Sequence, residues 1–367
     1  MKASLRVGRV FGVPLDLHWT LILIPLWVLY DGYHASLGLQ WARIGWVGGV
    51  IILLFSFVLI HELGHALTAR FFGKPTEKIL LFPLGGGAYI REHPERLFGE
   101  IMVYFGGPLA NILLALLVIP FLFFDPERWL LFQQYLQPQR NLITSSEWWE
   151  ELLCLGVMVN LVLAALNLLP AYPLDGGRIL QALLRKPLGE RKSTLVVTVL
   201  GVVASVGFIW AGYLLSDPIM GVGGLFVGLL SLYEINRGWQ RRRLQKHTVG
   251  QLFRPMMEDR LYAGDSLAKA RELLDSSGWP ALPVYNRWNQ LVGLLTEETM
   301  EHASDEDELI NGYYDTSFAT GFPTDNLLAM TERIIEADAY GALVYDRYRP
   351  VGFLLMEDVM GLLERRF

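Results

Sequence analysis

Apolar positions crowd the first two thirds of the chain into long runs. They fill Trp19–Tyr30 (extending toward Leu39), Trp46–Ile60 (continuing through Phe72), Ile101–Phe124, Leu152–Leu169, Leu195–Leu215 and Ile219–Ile235. A helix that crosses the hydrocarbon core of a bilayer needs about 20 mostly apolar residues. The six runs predict six such helices, the first and sixth interrupted by polar residues or glycine. After Lys246 the pattern changes. Residues 248–300 read as turn, strand, amphipathic helix (266–276), strand (281–285), strand (291–295) and short helix, and residues 308–367 repeat that order. The segment PVYNRWNQLVGLL (283–295) aligns with LVYDRYRPVGFLL (343–355) once one residue is skipped. A repeat of about 60 residues means two copies of one supersecondary unit, each needing the other to bury its face.

Composition agrees with that division. Of 367 residues, 52% are apolar and 19% charged, and mean hydropathy is +0.33. A soluble domain carries about 25% charged residues, so the composition argues against a wholly soluble protein and against a disordered chain. A single cysteine, Cys154, excludes an internal disulfide framework and multi-cysteine metal clusters. The net charge of −6 hides an asymmetry: residues 1–246 carry 21 Lys/Arg against 16 Asp/Glu, and residues 247–367 carry 10 against 21. No short cleavable signal pattern is read in Met1–Val13.

Basic residues prefer cytoplasmic loops. Eighteen Lys/Arg fall in the N-terminus and the segments 70–100, 178–192 and 237–246; the alternate loops hold only Arg43, Arg128 and Arg140. This asymmetry predicts cytoplasmic termini and an even number of spans. Trp148 and Trp149, in an acidic loop, suit the opposite interface. The expected boundaries are 1–244 for a transmembrane core, 245–303 for the first repeat and 304–367 for the second.

His61-Glu62-Leu63-Gly64-His65 is the sequence that carries chemistry. On a helix, positions i and i+4 share a face, so both imidazoles reach one ion. Zinc suits neutral imidazole, and the adjacent carboxylate can take a proton from water. The motif lies near the cytoplasmic end of the second run, where ionisable residues are costly and functional by default. A catalytic zinc needs a third protein ligand. The end of the fourth run, Asn167-Leu-Leu-Pro170-Ala-Tyr-Pro173-Leu174-Asp175-Gly176-Gly177, offers Asp175 at the same depth. Taken alone, Asp175 also reads as a turn or cap residue before Gly-Gly. Pro170 and Pro173 break the helix.

His61-Glu62-x-x-His65 together with Asn167-x-x-Pro170-x-x-x-Leu174-Asp175-Gly176 resembles the site-2 protease family of intramembrane zinc metalloproteases. GVPLDLHWT (12–20), PLGGGA (83–88) and GGPLANILLA (106–115) add to the resemblance, which covers about residues 5–240. It implies one Zn2+ on His61, His65 and Asp175, with Glu62 as general base. It also implies that Asn167 steadies substrate or oxyanion charge; an interhelical hydrogen bond is the other reading of Asn167. Leu80–Ile90, with Gly85, Gly86 and Gly87, is read either as a membrane-associated strand or hairpin or as a plain cytoplasmic turn. The family has such a sheet, whose edge pairs with extended substrate. Substrates implied by the family are single-span membrane proteins, such as an anti-sigma factor or a tethered transcription-factor precursor.

The tail resembles a pair of CBS repeats, a module that binds adenosine nucleotides in many proteins. Its ribose-contact pattern is half complete in each copy: Gly293 and Thr296 fit in the first, where Thr299 stands for Asp; Gly352 and Asp358 fit in the second, where Leu355 stands for the hydroxyl residue. Nucleotide binding at Thr296 and Asp358 and a role in homodimerisation or substrate docking are both open. The acidic surface argues against nucleic acid. His18 is read as an interface residue, Asn160 as a bond between helices, and Cys154 as packing; Asn111 and Pro108 place the third run beside the site.

The expected molecule is a polytopic α-helical membrane protein with about six spans, a small membrane-associated β element and a cytoplasmic α+β CBS pair. Its expected activity is zinc-dependent peptide hydrolysis near the cytoplasmic face. A transporter or channel with a CBS tail is the alternative, and Glu62 discriminates: a transport site has no use for a non-ligand base between two His ligands.

Overall fold

Inside a bilayer every backbone polar group must be paired within the protein, which confines apolar runs to helices or closed sheets. The computed structural model describes residues 4–34, 38–83, 85–90, 94, 96–135, 148–256, 259–279, 281–300, 308–347 and 349–364. Lys2, Arg91 and Arg140, used above for orientation, Leu84 and the expected 303/304 boundary lie outside these residues.

Strands β1 (Ser4–Val10) and β2 (Val13–His18) form the first hairpin. Helix α1 (Leu23–Asp31) follows a 3-10 turn at Trp19–Ile22. The 13 residues Trp19–Asp31 span about 20 Å, short of the roughly 30 Å core. The two-residue strands β3 (Tyr33–His34) and β4 (Gly38–Leu39) pair before α2 (Trp41–Phe71). Next come β5 (Thr76–Phe82), β6 (Gly85–Ile90), α3 (Leu97–Phe123), the short α4 (Pro126–Tyr135), α5 (Trp148–Asn167), α6 (Asp175–Leu214) and α7 (Pro218–Gln245). Among the described residues, α2, α3, α5 and α6 are long and apolar enough to cross a membrane. The first run yields a helix too short to cross unaided. Large apolar side chains such as Leu117, Val162 and Val206 lie exposed on the long helices, as lipid-facing residues do and water-facing ones rarely do.

Residues 178–192, expected as a connecting loop, belong instead to α6. That helix bends at Gly189, whose φ of 77° few other residues adopt, two residues after Pro187. Its first segment is tied to α3 by two hydrogen bonds of 3.0 Å from Arg185 to buried Glu100. Helices α2 and α3 approach closely through Gly64 and Gly106: a Cβ on Gly64 would lie 2.3 Å from the Gly106 carbonyl oxygen.

The 80–90 segment is a hairpin, not a plain turn. Its strands join a four-stranded sheet in the order β1-β2-β5-β6, with β2 and β5 parallel. Buried Asp16 on β2 accepts from Arg6 and pairs with Lys78, holding β1, β2 and β5 together. Ile79, Leu81 and Val13 pack from the sheet onto Val58, Leu63 and Ala66 of α2. Strand β6 is thereby an edge strand beside the His motif.

The chain divides into two compact units, Met1–Ile235 and Asn236–Phe367. In the second, β7 (Arg254–Pro255) precedes β8 (Leu261–Tyr262), α8 (Leu267–Ser277), β9 (Ala281–Tyr285), β10 (Leu291–Thr296) and α9 (Glu297–Met300). The second copy is β11 (Ala319–Gly321), α10 (Leu327–Glu336), β12 (Gly341–Asp346), β13 (Arg349–Leu355) and α11 (Met356–Glu364). Both copies pair the same way. Strand β8 is parallel to β9 as β11 is to β12, and each hairpin sets its glycine opposite the matching valine: Gly293 opposite Val284, Gly352 opposite Val344. The residue skipped in the alignment falls in the hairpin loop, which is longer in the first copy. Strand β7 crosses to pair with β13 of the second copy. One core cluster draws Ala281 and Leu294 from the first copy and Leu343, Phe353 and Leu355 from the second, so neither copy closes its core alone.

Candidate metal centre

Helix α2 presents His61, Glu62 and His65 on adjoining positions, all buried. Asp175 comes from the first turn of α6. The segment between α5 and α6 is not helical, and its backbone groups are paired elsewhere: Tyr172 N–H donates to the Val197 carbonyl, and the Tyr172 carbonyl accepts from Ser231. Gly176 and Gly177 let this segment fold back onto α6, because a Cβ on Gly176 would lie 2.2 Å from the Leu168 carbonyl oxygen. Asp175 is thereby brought opposite the His pair, 114 and 110 residues away in sequence. Its Oδ2 lies 3.1 Å from His61 Nε2 and 3.2 Å from His65 Nε2, and the two Nε2 atoms are 3.2 Å apart.

The far side of each imidazole decides what the near side presents. His65 Nδ1 is 2.7 Å from the Val103 carbonyl oxygen, an acceptor, so Nδ1 carries the hydrogen. For His61 the assignment runs through two amides. Asn160 Nδ2 donates to the Gly156 carbonyl, so Asn160 Oδ1 accepts from Asn111 Nδ2, and Asn111 Oδ1 accepts from His61 Nδ1 at 2.7 Å. Both rings therefore turn an Nε2 lone pair toward one point, together with a carboxylate oxygen. Three acceptors at such separations repel unless a cation lies among them. A tetrahedral ion with bonds of about 2.0–2.1 Å sets its ligand atoms about 3.3 Å apart, close to the three edges here. Gly107 of α3 lies against the same point: a Cβ there would stand 2.3 Å from His65 Nε2 and 2.7 Å from His61 Nε2. The donor set, its spacing and this clearance all fit a zinc ion.

Glu62 is not among the three converging atoms. It lines the cavity beside them and accepts a hydrogen bond from the Ala88 N–H of β6. The three glycines of that strand differ. Gly86 is required by space, since a Cβ would lie 2.9 Å from Glu62 Cγ; Gly85 has a φ of 146°; a Cβ on Gly87 would meet open space. Asn167, at the end of α5, lines the cavity and donates one amide hydrogen to the Leu163 carbonyl at 2.9 Å, which leaves its second amide hydrogen. Two cavities of 440 and 500 Å³ share His61, Glu62, Gly86, Asn167, Pro173 and Arg178 in their walls.

In the tail, Thr296 and Asp358 are engaged within the protein. The Thr296 hydroxyl accepts from the Thr299 N–H at the start of α9, and Asp358 accepts from Arg254 at 2.6 Å.

Sequence reasoning placed Asn111 beside the site but missed its hydrogen bond to His61, and read Asn160 only as a bond between helices. The signal was present: two asparagines in apolar spans must find partners. Asn111→Leu removes the acceptor for His61 Nδ1. Zinc affinity, measured by competition with a chelator, is expected to fall about 10–100-fold with the fold retained.

The model of peptidase family M50 matches residues 49–207. A zinc metalloprotease of Methanocaldococcus jannaschii is 33% identical over 228 residues, which is 62% of this chain and 59% of that protein's length. YwhC of Bacillus subtilis strain 168 is 31% identical over 158 residues, 36% of this chain and 68% of YwhC. Among solved structures, a site-2 protease from Methanocaldococcus jannaschii aligns with a TM-score of 0.45 at 31% identity, over 63% of this chain and 94% of that one. The CBS domain of a bacterial CNNM/CorC family Mg2+ transporter aligns with a TM-score of 0.30 at 15% identity, over 36% of this chain and 96% of that one. The matched segment runs from α2 through most of α6 and contains His61, Glu62, His65 and Asp175, and on these matches the chain belongs to peptidase family M50, the zinc metalloproteases of site-2 protease type.

Proposed function

We propose that the protein is an intramembrane zinc endopeptidase that hydrolyses a peptide bond in or near a substrate's transmembrane segment, close to the cytoplasmic face. The observation that carries this reading is the convergence of His61 Nε2, His65 Nε2 and Asp175 Oδ2, with Glu62 beside them on the wall of a shared cavity. His61, His65 and Asp175 would hold zinc, which when bound supplies Lewis acidity that polarises a carbonyl and acidifies water. Glu62 takes a proton from the attacking water and returns it to the departing amine. Asn167 directs its remaining amide hydrogen at the charge that develops on the carbonyl oxygen.

Gly85, Gly86 and Gly87 form the substrate strand. One side of β6 is taken by β5, and an extended peptide would add to the other by backbone hydrogen bonds. This requires the substrate helix to unwind locally, and a single-span membrane protein (an anti-sigma factor or a tethered transcription-factor precursor) supplies such a segment. In the membrane, α1 and α7 complete a six-crossing topology with both termini cytoplasmic, as the distribution of Lys and Arg requires. The core is 1–244, and the repeats are 245–303 and 304–367. The tail acts as a CBS pair that regulates activity, docks substrate or joins two copies of the chain. This rests on its two identically paired copies sharing one core.

The test of the peptidase is co-expression with single-span proteins, reading fragment size for the wild type against Glu62→Gln. Fragments that end within or beside the span are expected, from the wild type alone. For the tail, titration of the full chain with ATP and AMP is expected to show saturable binding at millimolar affinity or tighter, weakened by Asp358→Ala. Binding that never saturates would remove the nucleotide from the proposal.

A further inference from the structure

Arg178 is the one permanent cation among the described residues lining either cavity. It stands one turn after Asp175 on α6, and its side chain is exposed to the cavity. Its guanidinium carbon lies 5.6 Å from the Tyr104 ring centroid, and it donates to the Tyr104 side chain. No ion pair joins it to a carboxylate among the described residues. A guanidinium has five N–H donors; Tyr104 engages part of them, and the negative charge that reaches Arg178 is that of Asp175, which a bound ion would claim.

A count of charge shows what is missing. With a divalent ion on His61, His65 and Asp175, the ion's charge is balanced by Asp175 and Glu62. Arg178 remains as a surplus positive charge on the wall that both cavities share, where an anionic group can meet it.

We propose that Arg178 forms an anion subsite for the carboxylate that cleavage creates. This rests on the hydrolytic reading above. Hydrolysis breaks the peptide C–N bond, joins the oxygen of water to the carbonyl carbon and passes both water protons to the departing nitrogen. A neutral amide becomes a carboxylate and an ammonium. The carboxylate is the new negative group beside the ion, and the planar guanidinium fork matches its two oxygens. The same fork meets the charge that grows on that oxygen during attack, which the neutral ground-state carbonyl carries only in part.

The test reads binding rather than turnover. The zinc-loaded full chain bearing Glu62→Gln is titrated in detergent with N-acetyl-Leu-Leu and with its C-terminal amide. The ratio of the two affinities measures preference for a carboxylate. Adding Arg178→Gln is expected to lower that ratio about tenfold or more with zinc content unchanged. Arg178→Met, which keeps the packed stem, gives the same readout if the Gln variant fails to fold. An unchanged ratio overturns the proposal. So does loss of zinc in both variants, which would make Arg178 a support for Asp175. A wild type that cuts no single-span substrate would sink the hydrolytic reading separately, because the affinity ratio needs no cleavage.

Discussion

Glu62→Gln is expected to bind zinc as the wild type does and to lose cleavage by about 10³-fold or more. Gln keeps the side-chain length and can still accept from the Ala88 N–H, so α2 and β6 stay in place. It lacks the one property the reaction needs, a carboxylate that can take up and release a proton. Because Glu62 is not among the three converging atoms, zinc content should not change. Zinc assay of the purified variant beside fragment analysis of a co-expressed single-span protein checks both halves. Cleavage at the wild-type rate would end the proposed role of Glu62; lost zinc would place it among the ligands.

Asp175→Ala is expected to purify without stoichiometric zinc. It removes one of the three converging atoms and the only charged one, so affinity is expected to fall by more than the roughly 100-fold typical of losing a supporting hydrogen bond. The two Nε2 atoms, 3.2 Å apart, then lack the negative partner that made the cluster favourable for a cation. Helix α6 remains held to α3 by Arg185 and Glu100, and Gly176 and Gly177 still fold the preceding segment back. Loss of metal with the fold retained is therefore the expected pattern, read by zinc assay together with hydrogen exchange over α6. Retention of zinc would transfer the third ligand elsewhere.

The two predictions differ in what the sequence made legible. His61, Glu62 and His65 occupy one helical face by periodicity alone, and a sequence reader can place all three. Asp175 needed more. A turn residue before two glycines has an ordinary explanation, and only the folding back of residues 168–174 brings it within 3.2 Å of both imidazoles. The glycine-rich strand was likewise open between turn and hairpin, because alternating apolar and glycine residues suit both. The antiparallel pairing of β6 with β5 settles it as a hairpin, and the parallel pairing of β2 with β5, 64 residues apart, builds that hairpin into a sheet.

The backbone departs from the local expectation at two places. The run after Trp19 is apolar for long enough, yet its helix stops at Asp31, followed by a two-residue strand pairing instead of a further turn. Residues 178–192 are basic, as a loop would be, yet are helical apart from Gly189. Charge reports where a segment lies relative to the membrane and is silent about its backbone. A basic helix and a basic loop are equivalent to the positive-inside preference.

By itself the sequence determined the change of character along the chain, the apolar helices, the repeated tail and the placing of His61 and His65 on one helical face with Glu62 adjacent. These follow from local periodicity and composition, which act over a few turns of chain. Tertiary structure alone decided the third converging atom, the tautomers of both imidazoles, the clearance at Gly107 and the placement of the Arg178 guanidinium on the cavity wall. Each of these depends on atoms from different helices meeting at about 3 Å. No local pattern encodes such a meeting, since it is set by how whole helices pack.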